Sequence, residues 1–217
     1  MANKYMPINV SLENRRCLVV GGGDVALRKI ETLLEYKSDI TVVAPKPNDK
    51  IEYFANKEKI TLEKREYKIS EASGYGLVIS ASNSRDVNVQ VSKDCRENGV
   101  PVNVVDDPSL CDFIFPAVVK RDILSVAIST DGQAPFLAGQ LRLILEDIFP
   151  QRWKKIAAYA SKFRKKVMSR WRGQSEKKAL CYSRFVQTDW QKILKDKSDD
   201  EIEALLDGLV EEDGGQE

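Results

Sequence analysis

Gly21-Gly22-Gly23-Asp24-Val25-Ala26 follows directly on the apolar run Arg16-Cys17-Leu18-Val19-Val20 and opens a segment carrying Leu27, Ile30, Leu33 and Leu34 at helical spacing. A G-x-G-x-x-A placed between a buried strand and a helix predicts a strand–turn–helix unit built to receive a dinucleotide. Gly21 permits the tight turn, Gly23 lets the backbone approach a pyrophosphate, and Ala26 allows close helix–strand packing. The helix start supplies free N–H groups and a partial positive charge. The competing explanation is a glycine-rich turn with no ligand.

The rest of the first half keeps the same rhythm. Ile40 to Ala44 reads as a second strand stopped by Pro45 and Pro47, with a helix around Ile51 to Ala55 and a strand at Ile60 to Lys64. Leu77 to Ala81 is a fourth strand, a helix runs from about Asp86 to Glu97, and Val100 to Val105 is a fifth strand. Strands alternating with helices imply a parallel sheet, and right-handed crossovers make it a Rossmann-type doubly wound α/β sheet. After Asp106 the rhythm changes. Phe113 to Val119 and Ile123 to Ser129 are β-type runs separated by Lys120-Arg121-Asp122, and Ala134-Pro135 opens a helix that Pro150 closes. The last third is helical, with Trp153, Ile156, Ala160, Phe163 and Val167 on one face. The expected organisation is a Rossmann domain over 1–112, a small β-containing dimerisation and substrate region over 113–150, and a C-terminal helical domain over 151–217.

Composition narrows the chemistry. The chain has 217 residues and no histidine, which removes imidazole bases, Ser-His-Asp and Cys-His nucleophiles, and His-ligated metal sites. With 34 Lys+Arg against 33 Asp+Glu, a whole-chain nucleic-acid binder is not expected. The basic residues are nevertheless clustered: 11 bases stand against one acid from Arg152 to Lys178, while 10 acids stand against one base from Asp196 to Glu217. The two stretches suit pairing with each other, within or between subunits. Cys17, Cys95, Cys111 and Cys181 form no Cys-x-x-Cys pair, so neither a zinc ribbon nor thioredoxin-type redox is expected. The first residues do not read as a signal peptide and no apolar run reaches bilayer length, so no membrane partner and a reducing cytoplasm are expected.

Three further places at the carboxyl edge of the sheet could carry function. The second strand ends Ala44-Pro45-Lys46 with no acid for an adenosine ribose, and Lys46 suits either a 2′-phosphate or plain solvent. Ser82 and Asn83 follow the fourth strand and either line the nicotinamide half of a site or form a turn before a helix. Asp106 ends the fifth strand, where it serves as a general base or cation stabiliser, unless Asp106 or Asp107 only starts an Asx turn before Pro108. Tyr53 and Lys57 have the Tyr-x-x-x-Lys spacing of short-chain dehydrogenases but lie between the second and third strands, the wrong place for it.

Taken in order, Met6-Pro7-Ile8, Cys17 to Ala26, Arg28-Lys29, Asn103-Val104-Val105-Asp106, Phe113 to Ala117 and Val126 to Pro135 resemble the precorrin-2 dehydrogenase and sirohydrochlorin ferrochelatase family, the N-terminal module of siroheme synthase. The resemblance covers about the first 150 residues. It implies NAD-dependent oxidation of precorrin-2 to sirohydrochlorin, a homodimer, and in some members insertion of Fe2+ or Co2+. By the same resemblance Asp24, Val25, Pro45 and Lys46 match dinucleotide contacts and favour NAD. Asp106 matches the family's catalytic aspartate, and Asn103 and Thr130 go with the substrate region, Thr130 standing where some members have serine. A separate methyltransferase is then expected to supply precorrin-2. Such a substrate bears eight carboxylates, and Arg28, Lys120 and Arg121 are the cations that could border its cleft. The rival functions are an NAD sensor without turnover, a chelatase alone, and nucleic-acid binding by Arg152–Lys178, whose Trp153, Tyr159, Phe163 and Trp171 better fit a packing face.

Overall fold

The computed structural model describes residues 4–211. The chain divides into two compact units: one runs to Phe115 and includes Asp131–Gln133, and the other comprises Pro116–Thr130 and the chain from Ala134 onward.

In the first unit the strands β1 (Arg16–Val20), β2 (Asp39–Val43), β3 (Thr61–Glu63), β4 (Leu77–Ser80) and β5 (Val102–Val104) form one sheet in the order β3-β2-β1-β4-β5. Every pairing is parallel, with Val20 opposite Val43 on one side and Ser80 on the other. Strands covered on both faces need near-continuous apolar runs, and Cys17 to Val20 and Leu77 to Ser80 are buried throughout. The helices α1 (Asp24–Glu35) and α2 (Asp49–Asn56) connect the first three strands. Ala26, Ile30 and Leu33 of α1 recur at i, i+4 and i+7 and are all fully buried. With Val19, Ile40, Val42 and Ile79 they make one core. Helix α3 (Arg85–Glu97) connects β4 to β5 and contributes Val91 and Cys95 to a second core with Leu18, Val43, Val78 and Val102.

The connection from β3 to β4 contains no helix. Residues 64–76 run as turns, yet Ala72 is fully buried, and Tyr67 and Tyr75 pack against the second core. Glu71 braces this segment internally, accepting from Arg65 and from Lys68 N at 2.9 Å, and a carboxylate of α3 ties it to the sheet. Asp94, on α3 and 1% exposed, accepts from the Tyr67 hydroxyl and from Ala72 N at 3.3 Å. Burial and that bond push the Tyr67 phenol well above its ordinary range.

The second unit opens with a hairpin of β6 (Ala117–Arg121) and β7 (Leu124–Ile128). The expected strand from Phe113 starts later than the sequence suggested, because Phe113 and Phe115 pack against the first core and Pro116 has no N–H to donate to a ladder. The turn is also displaced. Lys120 and Arg121 belong to β6, and only Asp122-Ile123 form the loop, with Asp122 at φ 62°. Helix α4 (Pro135–Ile148) follows, with Pro135 in its first turn as expected. Then come α5 (Trp153–Arg170), α6 (Ser175–Gln187), α7 (Trp190–Asp196) and α8 (Asp199–Glu211). Tyr159, Phe163, Val167 and Trp171 meet Phe185, Trp190, Ile202 and Leu206 in a third core. The interleaved aromatics of the basic segment are therefore interior, apart from the partly buried Trp153. The basic and acidic stretches pair within the unit: Lys155 with Asp199 at 3.6 Å, Lys166 with Glu203 at 3.4 Å, and Lys162 with Glu203. The four cysteines are free and buried.

Candidate functional site

Parallel strands deliver their following loops to one edge, so the turns after β1, β2, β4 and β5 gather at the carboxyl edge of the sheet. Their backbones are tied together: Gly21 N donates to Val43 O at 2.9 Å, Ala81 N to Val20 O at 2.7 Å, and Val105 N to Ser80 O at 2.9 Å.

The three glycines meet different demands. Gly21 has φ +125°, and a Cβ there would stand 2.3 Å from Ala81 O. At Gly22 a Cβ would fall 2.7 Å from Pro47 Cα and 2.8 Å from Lys46 O, a packing demand that the G-x-G-x-x-A pattern leaves unassigned. Around Gly23 a Cβ would meet nothing within 4 Å. The first two glycines are thus required by the protein's own backbone, and the third faces open space. Gly23 is also the N-cap of α1 and supplies no side-chain cap, so the N–H groups of Asp24, Val25 and Ala26 have no side-chain acceptor at the helix start. An uncapped helix N-terminus beside an open glycine fits a dinucleotide pyrophosphate.

Asn48 joins the loop after β2 to this turn. Its N donates to Gly22 O at 2.9 Å, its Nδ2 to Asp24 Oδ1 at 3.3 Å, and its Oδ1 caps α2 by accepting from Ile51 N at 3.0 Å. Pro45 and Lys46 are exposed at the same edge, beyond the end of β2. After β4, Ser82 is half-buried and its Oγ accepts from Ser84 N at 3.1 Å, while Asn83 is exposed. Asn88 holds this turn: its Nδ2 donates to Ser82 O at 3.0 Å, and its Oδ1 accepts from Ser80 Oγ at 2.7 Å.

The two aspartates after β5 divide the roles left open in the sequence. Asp107 makes the Asx turn. Its Oδ1 accepts from Ser109 N at 3.2 Å and Ser109 Oγ at 2.5 Å, capping the short 3-10 turn Pro108–Leu110. Those bonds hold its carboxyl below the ordinary carboxylate range. Asp106 is exposed and sits at φ 63°, a left-handed conformation that Asp tolerates better than most side chains. The loop behind it is clamped. Cys111 Sγ accepts from Val104 N at 3.1 Å and donates towards Val104 O at 3.1 Å and Asp107 O at 3.3 Å. Asn103 is buried, and its Nδ2 donates to Phe113 O at 3.0 Å, so this amide braces the loop from inside. Lys4 Nζ donates to Pro108 O at 3.0 Å from outside.

Thr130 belongs to the second unit, where its Oγ1 accepts from Ala134 N at 3.1 Å at the start of α4. Arg121, expected as a cleft cation, is 8% exposed and donates to Phe149 O at 2.6 Å, Lys120 O at 2.9 Å and Glu146 O at 3.3 Å. Its guanidinium is committed to the fold, which corrects that expectation. Among the described residues no group of three or more Cys, Asp or Glu is placed to hold a metal ion, and no helix is long and apolar enough to cross a membrane.

A family model described as "Putative NAD(P)-binding" matches residues 8–117. The chain is similar to the siroheme synthase of Methylococcus capsulatus, 41% identical over 96% of this chain and 41% of that protein. It is similar to that of Pseudoalteromonas translucida, 36% identical over 97% of this chain and 45% of that one. The siroheme synthase of Ruthia magnifica is 33% identical over 98% and 46% respectively. The chain thus spans less than half the length of these relatives. Its fold is similar to that of a solved structure titled "SirC, precorrin-2 dehydrogenase", with TM-score 0.77, 24% identity, and coverage of 94% of this chain and 98% of that one. The glycine turn, the uncapped helix and the parallel edge that carries them lie within the matched residues, and the chain belongs to this NAD(P)-binding family.

Proposed function

We propose that this chain is an NAD-dependent precorrin-2 dehydrogenase that yields sirohydrochlorin, with Asp106 as its catalytic residue. The observation that carries the proposal is the exposed Asp106 in its left-handed turn on the same sheet edge as Gly23 and the uncapped start of α1. The siroheme synthases that align with almost the whole chain support the choice of substrate.

Bound NAD+ supplies the hydride acceptor. Gly23 and the N–H groups of Asp24 and Val25 would hold its pyrophosphate, Pro45 and Lys46 would border the adenosine end, and Ser82 and Asn83 would border the nicotinamide end. NAD is favoured over NADP by the family resemblance, and Lys46→Glu separates them, since a 2′-phosphate held by Lys46 would make NADP+ the more sensitive ligand. Precorrin-2 is a reduced tetrapyrrole whose conjugation extends on oxidation, so it needs little activation beyond orientation. Asp106 would accept the proton released as a bound nicotinamide took up the hydride, and hydride and proton together account for the two-electron oxidation. No histidine is needed for it. Asn103 and Cys111 act through the loop that carries Asp106, and the family resemblance alone assigns Thr130 to the substrate region.

The active form in this proposal is a homodimer. Leu137, Leu141, Ile144 and Ile148 of α4 repeat at coiled-coil spacing but remain 45%, 38%, 47% and 53% exposed, with Phe136 at 80%. A stripe of that size is uncovered in one protomer and suits a second copy. Insertion of Fe2+ or Co2+ into the product would use Asp106 again, as acceptor for the protons that the metal displaces.

The test is an anaerobic assay with enzymatically generated precorrin-2, following NADH and the sirohydrochlorin spectrum together. Stoichiometric appearance of both is the expected result. NAD binding without turnover would overturn the enzyme reading in favour of a nucleotide sensor. Turnover followed by metal uptake on adding Fe2+ or Co2+ would add the chelatase activity.

A further inference from the structure

Lys29 is the one cation of α1 whose environment is built rather than solvated. It lies five residues past Asp24, about 7.5 Å along the helix from its start, beyond the reach of a pyrophosphate held on the first turn. The side chain is half-buried, and Nζ sits 3.8 Å from the centroid of the Phe115 ring. Phe115 is fixed in turn by an edge contact with Phe113 at 5.5 Å, and both rings pack on the first core. Among the described residues the ammonium makes no hydrogen bond or ion pair, so a strong three-donor group is partly desolvated against a π face with no anion on it. Burial and the neighbouring Arg28 guanidinium hold it below the ordinary lysine value, while the charges of Asp106 and Cys111 act to raise it. Val105, the residue before Asp106, packs on the same core as Phe113 and Phe115, and Asn103 Nδ2 bonds Phe113 O at 3.0 Å, so Lys29 on Phe115 and the Asp106 turn share this edge, although the two form no direct ion pair. Lys4 Nζ, the other cation on this loop, is committed to Pro108 O at 3.0 Å, whereas Lys29 makes no hydrogen bond among the described residues.

We propose that Lys29 is a substrate-anchoring residue: its ammonium, seated on Phe115 beside Asp106, takes a carboxylate of the tetrapyrrole and so sets the reacting edge of the macrocycle against Asp106. This rests on the tetrapyrrole reading given above. A carboxylate arriving there completes the coordination of a cation that the fold has already partly dried. The interaction is stronger than the same contact at a fully exposed lysine. The position fixes geometry as well as charge, because α1 and the Phe113–Phe115 pair hold Nζ on one side of the turn.

The experiment measures sirohydrochlorin binding to the full chain under anaerobic conditions by absorbance titration, for the native protein, Lys29→Met, Lys29→Arg and Phe115→Leu. The expected result is an affinity loss of about tenfold in Lys29→Met, the size of one charge-assisted hydrogen bond at a half-exposed site. Lys29→Arg recovers most of it, Phe115→Leu falls between, and NAD+ affinity is unchanged in all three. In turnover Lys29→Met raises KM for precorrin-2 more than it lowers kcat. Native affinity for sirohydrochlorin in Lys29→Met, or an equal loss of NAD+ affinity, overturns the anchor and leaves the dehydrogenase intact. Failure of the native protein to bind any tetrapyrrole overturns both.

Discussion

Gly21 and Gly23 stand two residues apart and answer to different neighbours. Gly21→Ala meets both a disallowed φ and a carbonyl at 2.3 Å, so it is expected to lower stability by about 2–4 kcal/mol in a denaturant melt. Gly23→Ala meets nothing of the protein's own. It should lose no more than about 1 kcal/mol, as an N-cap change, and yet bind NAD+ about tenfold more weakly, because in the proposed site its methyl would stand where the phosphate approaches. Equal losses of stability in the two variants would sink that distinction. For Asp106 the left-handed φ decides which variant is clean. Asp106→Asn keeps a side chain suited to that turn and should lower kcat by about 10²–10⁴ at unchanged stability, whereas Asp106→Ala adds about 1 kcal/mol of backbone strain. At this scale the sequence was legible where the backbone needs a residue type in a place, as with the tight turn at Gly21. It was silent on why Gly22 must be glycine and on the seat of Lys29, which come from atoms distant in the chain: Pro47 for one, Phe115 for the other.

The elements of the first unit follow from apolar runs and their punctuation, and the sequence placed β1 at the residues observed. The crossing from β3 to β4 was not legible, because its order comes from side-chain bonds to Asp94 and Glu71 and not from any period. Tyr67→Phe leaves the buried Asp94 without that donor and should cost about 1–3 kcal/mol at pH 7. The phenol is raised in the folded state, so its contribution is complete below the unfolded value near 10 and is lost as pH rises towards the folded value. The native chain should therefore lose its advantage over Tyr67→Phe in melts above about pH 10. A constant difference from pH 7 to 11 would show that the bond is not what holds the crossing. Phe113 misled for a related reason: its β-type neighbours are extended but find a core in place of a partner strand.

Across the whole chain, the segregated basic and acidic stretches meet as expected, forming a seam between α5 and α8 within one subunit. Asp199 is held below its ordinary range by the Tyr159 hydroxyl and Lys155, and Glu203 by Lys162. Lowered carboxyls stabilise above their unfolded values near 4 and lose that contribution as pH falls through the folded ones. The helical signal of Asp199→Asn should therefore melt with less dependence on acid than that of the native chain between about pH 5 and 3. These pairs are exposed, so the difference should also shrink in 0.5 M salt. The apolar stripe of α4 has its own check: if the proposed homodimer forms through it, Leu141→Lys with Ile144→Lys should sediment as a monomer without unfolding.

The two faces of the sheet are unequally secured, one by α1 and α2 and the other by α3 with an irregular strap resting on Asp94. In amide exchange this asymmetry becomes an order of opening. The strap, residues 64–76, should exchange first and at the same rate with or without nucleotide, while NAD+ slows exchange at the ends of β1 and β2. The protein would then breathe on the side away from its cofactor, and a protease that cuts the strap would meet a molecule still holding its dinucleotide.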